Sequence, residues 1–150
     1  MSGVAAPAYS IAANLRWFAI AYAVTTLAVV AIAVLAALNG LEFPSVGANI
    51  GAFVGCVYAA GHRYAQKSED AWTGKTRTHL AGLYTAASVA ISAAFVGIGV
   101  ALEPALVDEF SAVLREALGV FAAALVFFVV MFFIGARFAL AMVARQRGRK

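Results

Sequence analysis

The sequence predicts an all-α membrane protein, a four-transmembrane-helix bundle, on three observations. The first is a set of four long apolar stretches, Trp17–Leu38, Ser45–Tyr64, Leu80–Leu102 and Ala117–Ala136, of 22, 20, 23 and 20 residues. At 1.5 Å of rise per residue each is roughly 30 Å long as a helix, the thickness of a bilayer's hydrocarbon core. The second is composition: 64% of the 150 residues are hydrophobic and 12% charged, against about 25% charged in soluble domains. The third is the sign of the loop charges, which alternates from one side of the stretches to the other. Backbone amides in lipid must find partners within their own segment, so apolar stretches of this length are helices.

Helix 1 follows Arg16. Its Ala31-Ile32-Ala33 has the small-x-small form of a signal-peptide cleavage site. The apolar run is longer than the usual h-region of about 7–15 residues, and one Arg replaces a basic cluster, so helix 1 is expected to be retained. Asn39-Gly40-Leu41-Glu42-Phe43-Pro44 is a tight turn that makes helices 1 and 2 an antiparallel hairpin. Helix 2 carries Gly47, Gly51 and Gly55 at four-residue spacing, flanked by Ala48, Ala52 and Ala59. Such a groove lets a second helix backbone approach closely. Packing within the bundle is the favoured reading, and a homodimer seam or contact with another membrane protein is the alternative. Helix 3 offers a comparable small face in Ser88 and Ser92. Between helices 3 and 4, Glu103-Pro104 is a plausible helix start. Leu106, Val107, Phe110, Val113 and Leu114 recur there at helical spacing against Asp108, Glu109, Arg115 and Glu116. This predicts a short interfacial amphipathic helix, the rival being an early start of helix 4. Helix 4, continuing to about residue 143, spreads Phe127, Phe128, Met131, Phe132 and Phe133 around its surface. A core of helices 2 and 3 with a more lipid-exposed helix 4 is therefore expected.

The basic residues set the orientation. Arg16, Arg63, Lys67, Lys75, Arg77, Arg137, Arg145, Arg147, Arg149 and Lys150, ten of eleven, fall on one side. The other side has Arg115 among Glu42, Glu103, Asp108, Glu109 and Glu116. The positive-inside rule places both termini and the middle loop in the cytoplasm. The pI near 9.6 thus reflects membrane borders rather than nucleic-acid binding. The 65 residues outside the stretches are too few for a further soluble domain, so residues 1–150 read as one integral membrane domain. The single cysteine, Cys56, lies in mid-span and allows no intramolecular disulfide.

Polar residues inside the spans are where function would show. Thr25, Thr26 and Ser88 share a depth, so hydroxyl bonds across the bundle compete with bonds to their own helix carbonyls. Asn49 near the outer end of helix 2 reads as a cap or a turn bridge. Arg137 is expected to snorkel to the surface, the alternative being a pairing inside the bundle. No Asp or Glu lies in any span, which argues against a proton-coupled exporter; Glu103 is the nearest candidate. His62 and His79, with Glu69 and Asp70 between them, match no metal spacing. No phosphate loop, nucleophile elbow or zinc helix is present. The chain is expected to be no enzyme and to need no cofactor.

Asn49-Ile50-Gly51-Ala52, then Tyr58-Ala59-Ala60-Gly61-His62-Arg63-Tyr64, a basic loop and Leu80-Ala81 resemble a group of small uncharacterised four-helix bacterial inner-membrane proteins. Trp72-Thr73 stands where that group has Pro-Thr, and Lys75 or Thr76 where it has Glu. The resemblance spans Asn49–Ser92 and implies a bacterial inner-membrane location; the group has no established activity, so no site residue follows from it. Small-residue faces, short loops and the lack of buried charge favour a non-catalytic accessory or structural subunit packing against a larger membrane complex. The alternative is a small oligomeric transporter or channel.

Overall fold

Ser10 decides where the chain first turns helical. Its hydroxyl accepts from the Ala13 amide at 3.2 Å, satisfying one of the free donors of a helix start. The computed structural model describes residues 9–68, 72–102 and 105–147. They form α1 (Ile11–Leu38), α2 (Ser45–Lys67), α3 (Gly74–Leu102) and α4 (Ala105–Arg147), with no strand among the described residues. At its far end α1 closes in a Schellman turn: Leu41 N–H bonds Ala36 C=O at 2.9 Å and Gly40 N–H bonds Ala37 C=O at 3.0 Å. Gly40 takes φ +69°, a left-handed conformation that favours glycine. Thr73 caps α3, its hydroxyl accepting from the Thr76 amide at 3.1 Å.

Each helix outruns its lipid-length stretch at the end that carries most of the basic residues. α1 adds residues 11–16, α2 adds 65–67, α3 adds 74–79 and α4 runs on to Arg147. Hydropathy marks only the part suited to lipid, whereas Ser10 and Thr73 mark the true starts. Glu69, Asp70, Glu103 and Pro104 lie outside the described residues. The segment before helix 4 is helical from Ala105 and continuous with α4 except at Ala117, where φ −128° and ψ 29° break the helix.

Among the described residues three helices are long and apolar enough to cross a membrane: Ile11–Leu38, Gly74–Leu102 and Ala117–Gln146. α2 falls short of that apolarity, so three of the four expected spans are shown by length and composition. Its glycines, Asn49, His62 and Arg63 dilute its apolar character. Much of its surface faces protein instead, with Phe53, Cys56, Val57, Ala60, Tyr64 and Ala65 buried.

The neighbours run α1–α2–α4–α3 around the bundle, with α2 and α4 in the most extensive contact. α2 and α3 lie across the diagonal and touch little, and α1 and α4 do not touch among the described residues. The expected core of helices 2 and 3 is therefore corrected. α4 divides along its length. Phe127, Phe128 and Met131 are exposed as expected, but Ala136, Ala139, Leu140 and Val143 are buried. Small side chains near Gly135 let α4 approach α2, a signal the phenylalanines concealed.

The close approach belongs to Gly61, not to the earlier glycines. A Cβ on Gly61 would overlap the buried Leu140 side chain, and one on Gly135 would lie 3.4 Å from Val54. Beyond the helix's own turns, no atom of the described residues lies within 4 Å of a Cβ built on Gly47, Gly51 or Gly55. Packing of these three within the bundle is thus corrected; they line an open, exposed face together with Ala59. The outside of the bundle is strongly apolar, with Leu38 77%, Val120 72% and Leu102 79% exposed. A surface of this kind on many turns suits lipid rather than water.

Gly61→Leu should force α2 and α4 apart and lower stability by about 1–3 kcal/mol, the usual cost of overpacking. Thermal unfolding in detergent checks this, with Gly47→Leu, on the open face, expected to melt within a degree or two of the parent.

Candidate functional site

Polar side chains meet inside the bundle at the basic end and again in the opposite half. At the basic end Asn14 is fully buried. Its amide donates to the Tyr84 hydroxyl, and its carbonyl oxygen accepts from the Tyr9 hydroxyl at 3.1 Å. Tyr9 in turn accepts from Arg63 Nε at 2.9 Å. The chain of bonds Arg63–Tyr9–Asn14–Tyr84 ties α2, the segment before α1, α1 and α3 together. It begins on a charged donor, which strengthens the bonds behind it. The Arg63 guanidinium sits 5.6 Å from the Tyr9 ring centre and 5.5 Å from that of Trp17, and Lys67 Nζ lies 5.7 Å from Tyr9. Aromatic faces thus hold two cations at the edge of the apolar surface.

A layer of rings separates this end from the other half. Phe18 lies 4.6 Å from Tyr84 and 6.2 Å from Phe53 between ring centres, Phe53 lies 4.5 Å from Phe132, and Tyr22 stacks on Phe18 at 5.7 Å. All four helices contribute a ring. Beyond it opens a cavity of about 300 Å³ lined by Tyr22, Thr26, Asn49 and Ser92 together with Val46, Ile50, Phe95, Phe128 and Phe132.

The structure brings together three of the residues singled out in the sequence, Thr26, Asn49 and Ser92, at this cavity. Asn49 is neither cap nor bridge: the N-cap of α2 is Pro44, with no side-chain hydrogen bond. Thr25 and Ser88 bond their own helices, Thr25 to the Ala21 carbonyl at 2.7 Å and Ser88 to the Thr85 carbonyl at 2.8 Å. Their hydroxyls form no bond across the bundle to one another, although Thr25 also lies 3.6 Å from Cys56 Sγ. Arg137 is exposed on α4 and makes no pairing inside the bundle among the described residues. His62 stacks on Tyr58 and bonds Gln66 at 2.8 Å. No group of three or more His, Cys, Asp or Glu among the described residues could hold a metal ion. Asn14, Tyr9 and Tyr84 carry no label in the hydropathy pattern, because Asn14 falls before Trp17 and the tyrosines look like border aromatics. The Ser10 cap was the available signal that helix, and with it Asn14, begins earlier.

Comparison of the chain with protein-family models, with curated proteins and with solved structures finds no match. The likeness of Asn49–Ser92 to small inner-membrane proteins therefore rests on its own residues alone.

Asn14→Leu strands the Tyr84 hydroxyl in an apolar interior and should lower stability by about 1–3 kcal/mol. Combining it with Tyr84→Phe should cost less than the two single changes added together, since both partners are then apolar. A double-mutant cycle by thermal unfolding in detergent measures the difference, and simple additivity would deny the bond its role.

Proposed function

We propose that this chain is a four-span protein of the bacterial inner membrane that acts without catalysis, as a small accessory subunit docking α2 against a helix of a larger membrane complex. The observation that carries the reading is the outward face of α2. This helix has the weakest lipid character of the four, yet Gly47, Gly51, Gly55 and Ala59 lie exposed along one side with no neighbouring element of the described residues over the glycines. A glycine ridge facing lipid gains little, whereas against another helix it permits close backbone contact. A partner on that face would also complete the lipid-excluding environment that a fourth span of this composition needs.

In this reading the basic end is cytoplasmic, with both termini there, and the segment 105–116 lies in the opposite interface. Transport by a small oligomer is the weaker alternative. The ring layer of Phe18, Phe53, Tyr84 and Phe132 interposes apolar bulk between the polar cavity and the basic end, and no intramembrane carboxylate stands by to carry a proton.

Gly51→Leu is expected to keep the melting temperature of the purified chain while abolishing co-purification of its partner in mild detergent. Retained association would overturn the docking face. Reporter fusions after Lys150 and near Glu69 should read cytoplasm and one near Asp108 the outside; a cytoplasmic signal at Asp108 would remove the four-span topology.

A further inference from the structure

The half of the bundle away from the basic end holds an unused hydrogen-bonding capacity. Thr26 Oγ1 is buried with no partner. Tyr22, Asn49 and Ser92, which line the same cavity, make no side-chain hydrogen bond to the described residues either. Thr25, the residue before it, spends its hydroxyl on the Ala21 carbonyl at 2.7 Å, so a helical setting alone does not leave Thr26 idle. A buried polar group without a partner costs about 1–3 kcal/mol, and around Thr26 the cavity sets the half-buried Asn49 of α2 and Ser92 of α3 and also Tyr22 of α1.

We propose that the cavity binds an uncharged lipid with a compact head that bears at least one carbonyl, and an apolar tail. All four side chains can donate a hydrogen bond as well as accept one, so a ligand rich in acceptors finds a donor on each. None is charged, and no charged residue lines the cavity, so an ionic head would lose its hydration with nothing to replace it. The volume of about 300 Å³ sits at the lower end of the range of small-molecule sites. A tail has somewhere to go: an apolar space of about 450 Å³ between α3 and α4 and one of about 190 Å³ between α2 and α4 share Phe128 and Phe132 with the cavity. Tyr22 and Phe132 line the cavity and pack on Phe18 and Phe53 of the ring layer behind them, so the ligand is held rather than passed through. This inference is independent of the docking face on α2, whose glycines lie outside the cavity.

Two sources share the ligand chemistry, a quinone and a monoacylglycerol, and the test separates them. The purified full chain in detergent is titrated with decylubiquinone, with monoolein and with dodecylbenzene, which has a tail and ring but no oxygen. The thermal-unfolding shift is followed to saturation. Decylubiquinone, monoolein or both should saturate and raise Tm, and dodecylbenzene should not; which of them binds names the source. Thr26→Val should weaken the apparent Kd by about 2–10-fold, the loss of one hydrogen bond, without lowering the Tm of the unliganded protein. Ser92→Phe, which fills the cavity, should abolish binding. Equal shifts by all three probes, no saturable shift by either oxygen-bearing probe (the result expected of a water-filled or lipid-filled gap), or an unchanged Kd in Thr26→Val would each overturn the proposal.

Discussion

Everything at the basic end depends on Asn14 being satisfied. A fully buried amide is cut off from solvent, and its two polar atoms are met within the protein, the nitrogen by Tyr84 and the oxygen by Tyr9. That requirement fixes the register of α1 against α3, because a slide of one turn would separate the amide from the tyrosine. Through Tyr9 and Arg63 the same requirement reaches α2. Apolar packing tolerates small slips at modest cost; a buried donor and acceptor do not. The polar chain therefore specifies, and the apolar contacts around it supply bulk stability.

The glycines of α2 divide along the same axis. Gly61, near the basic end, is a packing glycine set against Leu140, while Gly47, Gly51 and Gly55 face outward with open space above them. One helix thus uses the same residue for internal closeness at one end and leaves it available at the other. The contrast extends to the whole bundle: rings, alanines and the polar chain fill the basic half, and gaps around Phe128 and Phe132 mark the opposite half.

Much of the architecture was legible in the sequence because lipid imposes a length and an apolarity that few other settings demand. Helix class, helix order and the tight Asn39–Gly40 turn follow from that constraint. What was not legible is which helix faces which. Spacing places Gly47, Gly51 and Gly55 on one stripe, but a stripe looks the same whether a neighbour in the chain, another protein or lipid covers it. Gly135, Ala136 and Ala139 were masked by the phenylalanines beside them. Thr26, Asn49 and Ser92 were visible as polar residues, yet their meeting depends on the rotation of three helices, which hydropathy does not encode. Asn14 was hidden by the assumption that helix 1 begins where lipid does.

The order of neighbours, α1–α2–α4–α3, has a consequence for how such a chain can be assembled. Each hairpin, α1 with α2 and α3 with α4, is an antiparallel pair that opposes the dipoles of its own helices. The contacts between hairpins, α2 with α4 and α1 with α3, join parallel neighbours and gain no such opposition. The molecule is in this sense two folded halves held face to face, and the join relies on the Asn14–Tyr84 bond on one side and the Gly61–Leu140 closeness on the other. Two halves made as separate polypeptides would carry every instruction needed to find one another, since the short link between α2 and α3 contributes proximity and the two contact seams contribute recognition.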